Sequence, residues 1–413
     1  MSVGAPPLAR RLVSRTVAIE APADLLDRLP DRGGIAWIRR GEGFVGWGEA
    51  LRIDPGAGVE RFRRAAAGVV AALGRAQADD EVGVWGSGPI AFGSFAFDPR
   101  SPQSWLVVPS VVVGSRGGRA WMTLTGVDSL PDPERAQDEP ALTIDAFDPP
   151  MSEQSYLRAV GAAREAIRWS RLEKVVLSRD VVVDAGAAFD PRTAARRLEA
   201  RYPECFTFAA GGLVGASPEL LVRRVGSSIL SVTLGGSARR GVDRADDDRV
   251  GRELLGSQKD RHEHDLARES VRSALAPLCA DMEVEPEPHL LKLANVQHLG
   301  TRVTGRLHVG LTALELAGIL HPTAAVCGSP PATALALIRT LEPVDRGRYA
   351  GPVGWVDAYG DGEFAIALRC AELRGSHARL LAGAGIVAES DPEAELEETR
   401  LKLRAMLSAL NGG

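Results

Sequence analysis

In the run LLAGAGIVAESDPEAELEETRLKL, Glu395, Glu398 and Lys402 stand at i, i+3 and i+7, which at about 100° per residue puts them on one face of a helix. Leu396, Leu403, Leu407 and Leu410 form an apolar stripe alongside, so the acids should press against the body of the protein rather than into open water. Asp391 or Ser390 fits the N-cap, and Pro392 fits the first turn. Taken alone, this helix reads more simply as a solvated Glu/Lys face held by i,i+4 pairs. A second acidic helix upstream shifts that balance.

The segment DRVGRELLGSQKDRHEHDLARESVRSAL predicts one long amphipathic helix with Asp260 and Glu263 on one face and Val250, Leu254 and Leu275 on the buried side. Two helices then each offer a pair of carboxylates. Carboxylates crowded near a core repel one another unless a cation lies between them. Oxygen-only donors of this kind suit Mg²⁺, which keeps several waters and takes only one or two carboxylates directly. Zinc is a weaker reading of His262, Glu263 and His264: adjacent helical residues diverge by about 100°, and Leu266 stands where HExxH needs its second histidine. Cys205, Cys279, Cys327 and Cys370 form no CxxC pair, so reduced thiols are expected.

Two strands supply further candidates. In EKVVLSRDVVVD, Lys174, Val176 and Ser178 share one face. A lysine opening such an apolar strand is either an edge charge or a buried amine, and the strand by itself favours the edge. Glu219 follows Ser217-Pro218 where apolar residues resume, and is either a solvent-facing strand glutamate or a buried acid able to donate a proton. Gly235-Gly236-Ser237 reads as a loop that lets backbone approach a ligand, or simply as a turn.

In this order, the segments resemble the chorismate-using enzymes: isochorismate synthase, salicylate synthase, and component I of anthranilate synthase and of aminodeoxychorismate synthase. The matching stretches are KVVLSR, ASPELL, LGGSARR, SQKDRHEH, VQHL, HPTAAVCGSP, RGRYAGPVGW, ALRCAEL, AGAGIV and ELEETRLKL. They run from about residue 150 to the C-terminus, and before that only GSFAFDP carries the likeness. The resemblance implies that Lys174 is the base that activates water, where ammonia-using relatives have glutamine, and that Glu219 is the acid that protonates the departing C4 hydroxyl. It further implies Glu263 and Glu395 as direct Mg²⁺ ligands, with Asp260 and Glu398 acting through the metal's waters. Arg369, Tyr349, Lys402 and the backbone of Gly383, Ala384 and Gly385 would hold the substrate's carboxylates, with His298 near the ring and Gly236 and Ser237 beside it. Gly235 stands where aminodeoxychorismate synthases carry a nucleophilic lysine, which argues against covalent amination. The same glycine replaces the usual alanine, so a looser loop is expected.

Isochorismate synthase is therefore the expected activity, serving menaquinone or a catechol siderophore. Salicylate synthase comes next, since the same site can go on to eliminate pyruvate, and anthranilate synthase third, because Lys174 replaces its glutamine. A noncatalytic chorismate- or metal-binding protein would need neither the acid nor the base.

The resemblance implies one large α+β domain of two mostly antiparallel sheets packed face to face with helices outside and the cleft between halves. Residues 1–150 would add sheet, and 151–413 would form the chorismate-binding region. Apolar content of 45% in 413 residues supports a core large enough for this. A formal charge of −5 with mixed signs argues against nucleic acid as a partner. With no run of about 18 apolar residues and no signal-peptide core, cytoplasmic residence is the default, as a monomer without an obligatory partner. IAWIRR, GFVGWGEA, SFAFD and LVVPSVVV read as strands around a helix from Val59 to Leu73. Residues 129–150 read as a connector, Ser152 and Asp190-Pro191 as helix starts, and Asp361-Gly362 as a hairpin turn.

Overall fold

The apolar runs pair into two sheets in the computed structural model, which describes residues 11–30, 33–129, 144–148 and 150–412. The larger has 13 strands, in the order Ile144–Asp148, Lys174–Ala185, His377–Ile386, Cys370–Arg374, Leu213–Ser217, Phe206–Ala210, Ile35–Arg39, Glu42–Trp47, Val111–Arg116, Arg119–Thr125, Val13–Ile19 and Gln77–Asp80, with Gly328–Ser329 beside Lys174–Ala185. The smaller has 10, in the order Cys279–Val284, Val296–Leu307, Ser228–Arg239, Leu220–Val225, Gly362–Ile366, Pro352–Asp357, Ile90–Ser94, Trp105–Val108 and Leu51–Ile53, with His289–Lys292 beside Val296–Leu307. Val13–Ile19 and Gln77–Asp80 run parallel, while the other pairs are antiparallel. Strands from both sides of residue 150 enter both sheets, so neither half closes a sheet of its own.

Aromatic side chains fill the space between the sheets. Phe44 of the larger sheet meets Phe92 and Trp355 of the smaller edge-on, with ring centroids 6.1 and 5.7 Å apart, the arrangement that sets positive ring edges against negative faces. The opposite face of the larger sheet, with Ala36, Ile38, Val45, Val181 and Val183, is covered by the helices Pro191–Arg201 and Pro392–Asn411. No helix among the described residues is long and apolar enough to cross a membrane.

Several expectations are met locally. Ser152, Asp190 and Asp391 cap the helices Glu153–Arg168, Pro191–Arg201 and Pro392–Asn411 by accepting backbone N–H bonds, and the Ala-rich helix spans Arg61–Leu73. Others change. The predicted long helix is two, Arg244–Gly256 and Gln258–Leu275, because Ser257 takes an extended conformation and its hydroxyl accepts from Asp260 N–H, starting a new helix there. Lys174 is not on an edge, since its strand pairs on both sides. Gly235-Gly236-Ser237 is a bulge inside the strand Ser228–Arg239, with Gly236 at φ +61°, and not a loop. The C-terminal hairpin turns at Ala358-Tyr359, with Gly362 already in its strand. SFAFD is strand only at its first residue, Ser94. Most of the connector, residues 130–143 and 149, lies outside the described residues.

Two of the places where the chain passes between the sheets are neighbours. Pro218 and Glu219 join Leu213–Ser217 of the larger sheet to Leu220–Val225 of the smaller, and residues 367–369 make the return from Gly362–Ile366 to Cys370–Arg374. Ser217 Oγ donates to Ile366 O at 2.5 Å and Ile366 N–H to Glu219 O at 3.1 Å, which ties the crossings together. Glu219 and Arg369 are thus held where the backbone leaves regular pairing.

Candidate active site

A cavity of about 720 Å³ opens beside these crossings. Glu219, Glu263, His298, Tyr349, Arg369 and Lys402 line it, with Gly235, Gly236, Ser237, Gly383 and Gly385 supplying bare backbone. All its lining residues follow residue 150, so the cleft lies within the C-terminal region and not between two halves of the chain.

Glu219 is 4% exposed, and burial pushes its carboxyl up to about 7 despite Leu234 N–H at 3.5 Å and the positive charges of Lys174, Lys402 and Arg369. Near neutrality it is therefore poised between its two forms, and below neutrality it keeps the proton that a donor must hold. Arg369 has φ +48° and sits buried at the return crossing. Its Nη2 donates to His298 Nε2 at 2.6 Å, while Nε and Nη1 have no partner among the described residues. Because arginine only donates, His298 Nε2 must accept; Nδ1 then carries the hydrogen and faces Gly236 O at 3.1 Å and Ser237 Oγ at 3.1 Å. Burial, with Arg369 adjacent, holds His298 well below the usual imidazole range, in keeping with this neutral tautomer. A buried cation with two idle N–H groups at a cavity wall calls for an anion.

The acidic helices reach the same cavity through Glu263 and Lys402, and three of their four carboxylates, all but Asp260, stand beside a lysine. Lys174, fully buried, donates to Glu263 Oε1 at 3.1 Å; Lys259 pairs with Glu395 at 2.5 Å, and Lys402 with Glu398 at 2.6 Å. Lys402 also donates to Gly383 O at 2.9 Å. Burial and then Glu398 and Glu263 raise Glu395, and burial raises Asp260, whereas Glu263, facing Lys174 and Lys259, is lowered. Among the described residues, no three acidic, histidine or cysteine side chains already form a ligand cluster, since lysines stand between the acids. Lys174 lies beneath Glu263 and does not itself line the cavity. His262 points outward and His264 bonds Thr301 Oγ1 at 2.7 Å, so that pair forms no zinc site. The four cysteines are free.

Close packing explains the glycines. A Cβ on Gly385 would stand 2.1 Å from Glu263 Oε1 and 2.9 Å from Lys174 Cε. Gly385→Ala must displace both, and we expect a loss of turnover on the order of 10²-fold with the fold retained, checked by steady-state kinetics and circular dichroism. Near-normal rates would show that the Lys174–Glu263 contact is not needed. At Gly235 a Cβ would fall 2.8 Å from His264 Cα, so the missing methyl gives tighter strand-to-helix packing, not the looser loop expected. Ala384 also departs from expectation: the alternation of its strand turns it into the core, and only Gly383 and Gly385 reach the cavity.

Two residues escaped the sequence reading. Arg346 lines the cavity and braces its wall, donating to Val326 O at 2.8 Å and Val176 O at 2.7 Å while paired with Glu342 at 2.5 Å. Lys259 was signalled by its i,i+4 spacing from Glu263, although its partner proves to be Glu395 on the other helix.

A two-sheet α+β sandwich with a buried acid, an unpaired arginine and paired acidic helices defines an enzyme for a small anionic substrate. Residues 12–411 match the family described as chorismate binding enzyme, and the chain belongs to it. It is 35% identical over 356 residues to the isochorismate synthase MenF of Bacillus subtilis, covering 79% of this chain and 75% of that protein. It is 40% identical over 341 residues to the putative isochorismate synthase MenF of Mycobacterium tuberculosis, covering 79% and 87%. The crystal structure of the putative 2,3-dihydroxybenzoate-specific isochorismate synthase DhbC from Bacillus anthracis superposes with TM-score 0.79 at 35% identity, over 94% of this chain and 98% of that one.

Proposed function

We propose that this chain is an isochorismate synthase: it adds water at C2 of chorismate as the C4 hydroxyl departs and the ring double bond shifts. The observation that carries this is that one cavity is lined by a buried Glu219, raised by that burial, and by an Arg369 whose Nε and Nη1 have no partner among the described residues. Arg369 meets a substrate carboxylate with its charge and an idle N–H, and the His298 contact fixes the plane of the guanidinium. Glu219 gives its proton to the leaving hydroxyl oxygen. Lys174, released from Glu263, is the base that accepts the proton of the attacking water. One water is consumed and one formed, so product and substrate are isomers.

The acidic residues fit magnesium in donor chemistry: oxygen only, buried, and crowded enough that Glu395 and Asp260 are both raised, with Lys174, Lys259 and Lys402 offsetting the negative charge. Glu263 and Glu395 would hold the ion directly and Asp260 and Glu398 through its waters, and it would supply positive charge to a second substrate carboxylate. The product would serve menaquinone or a catechol siderophore.

The test is to incubate the purified protein with chorismate and Mg²⁺, with and without ammonia, and resolve the products by chromatography. Isochorismate alone is expected; salicylate with equal pyruvate, anthranilate, or no turnover would each overturn this reading. For Arg369→Gln, losing the charged fork should raise KM on the order of 10²-fold and change kcat much less. A KM within threefold of the parent would remove its role as carboxylate anchor.

A further inference from the structure

Away from the catalytic cavity, the facing sheets part near the tip of the hairpin formed by Ile35–Arg39 and Glu42–Trp47 and leave a second cavity of about 1220 Å³. Trp37 and Phe206 of the larger sheet, Leu230 and Val232 of the smaller, and Trp85 make its apolar walls. Five arginines, Arg39, Arg40, Arg116, Arg223 and Arg302, line it against two acids, Glu42 and Glu363, an excess of positive charge on a chain whose net charge is −5.

Glu363 is already engaged, accepting from Trp37 Nε1 at 2.9 Å and pairing with Arg223, and Arg40 is paired with Glu204. Arg116 lies over the Trp85 ring at 4.3 Å, and Arg39 over Phe206 at 4.6 Å. Such stacking orients the guanidinium planes but neutralises nothing. Among the described residues, the guanidinium groups of Arg116 and Arg302 take no hydrogen bond or ion pair. Burial, with Arg223 close by, holds Arg39 and Arg116 below the usual guanidinium range, a strain that a bound anion would relieve. Flat apolar walls bordered by idle arginines match a ligand with a ring and acid groups at its rim.

We propose that this cavity binds a small planar acid bearing at least two negative charges, its ring between the aromatic and apolar walls and its anionic groups on Arg39, Arg116 and Arg302. Chorismate is itself a dianion, so the test must separate the two cavities. Naphthalene-1,4-dicarboxylate is titrated calorimetrically into the parent, the Arg116→Gln/Arg302→Gln double variant and Arg369→Gln, with inorganic pyrophosphate as a probe of charge without a ring. Saturable binding of the dicarboxylate is expected in the parent and in Arg369→Gln, weakened at least tenfold in the double variant. Exposed Arg302→Gln alone, which should fold normally, is expected to weaken it severalfold. No binding, loss of binding in Arg369→Gln, equal affinity in both arginine variants and the parent, or pyrophosphate binding as tightly as the dicarboxylate would overturn the proposal.

Discussion

Lys174→Gln is expected to lower kcat for isochorismate formation by on the order of 10²–10⁴-fold, the usual worth of a positioned proton acceptor. Glutamine is one bond shorter, so its amide falls short of the Glu263 oxygen that the amine now contacts at 3.1 Å, and it cannot accept the proton of water. The exchange also leaves a buried carboxylate without its countercharge. Removing one partner of such a pair commonly costs about 3–5 kcal/mol, so the melting temperature should fall as well. The two effects are separated by measuring substrate binding calorimetrically below the melting transition: affinity within severalfold of the parent, with turnover lost, assigns the defect to chemistry. Turnover within tenfold of the parent would leave Lys174 as a structural counterion to Glu263 and move the base elsewhere in the cavity.

That Lys174 is buried at all was hidden in its own strand. A lysine at the start of an apolar run looks the same on an edge or in the middle of a sheet, and here the deciding neighbours are Ser329 and Ile386, over 150 residues away. The same limit applies to the sheet order, since the pairing of Phe206–Ala210 with Ile35–Arg39 joins segments that no local pattern connects. What local patterns do encode was legible: capping by Ser152, Asp190 and Asp391, and the shared face of Glu395, Glu398 and Lys402, two of which pair with each other. The break at Ser257 was legible too, in a glycine followed by a serine three residues before an aspartate, but the apolar spacing of Val250, Leu254 and Leu275 masked it. Glu219 and Arg369 were found as residues, whereas their placement at paired crossings between sheets depends on topology alone.

The charge pattern around the cavity also required the fold. Sequence spacing gave each helix its acids, yet Lys259 crosses to Glu395 and Lys174 comes from a strand to Glu263. Within the site, these pairings leave Arg369 with idle donors and Glu219 as an acid raised by burial that no lysine contacts, which is why those two residues dominate the functional reading.

Glu219→Gln should lose turnover on the order of 10²–10⁴-fold while becoming more stable than the parent above neutral pH. In the folded chain the carboxyl is raised from 4.5 to about 7, chiefly by burial. Between these values the unfolded chain has lost the proton and the folded chain still holds it, so the parent's stability falls as pH rises through that window and levels off above it. At about 1.4 kcal/mol per unit, the loss is roughly 3 kcal/mol. Glutamine resembles the protonated acid in shape and does not titrate. The variant should therefore match the parent near pH 4 and exceed it by pH 8, measured by denaturant unfolding without ligand. The parent's own activity should decline as pH rises through about 7, where the donor is deprotonated. A variant that stays active, or whose stability tracks the parent's across that range, would show that Glu219 is neither the proton donor nor held neutral by its surroundings.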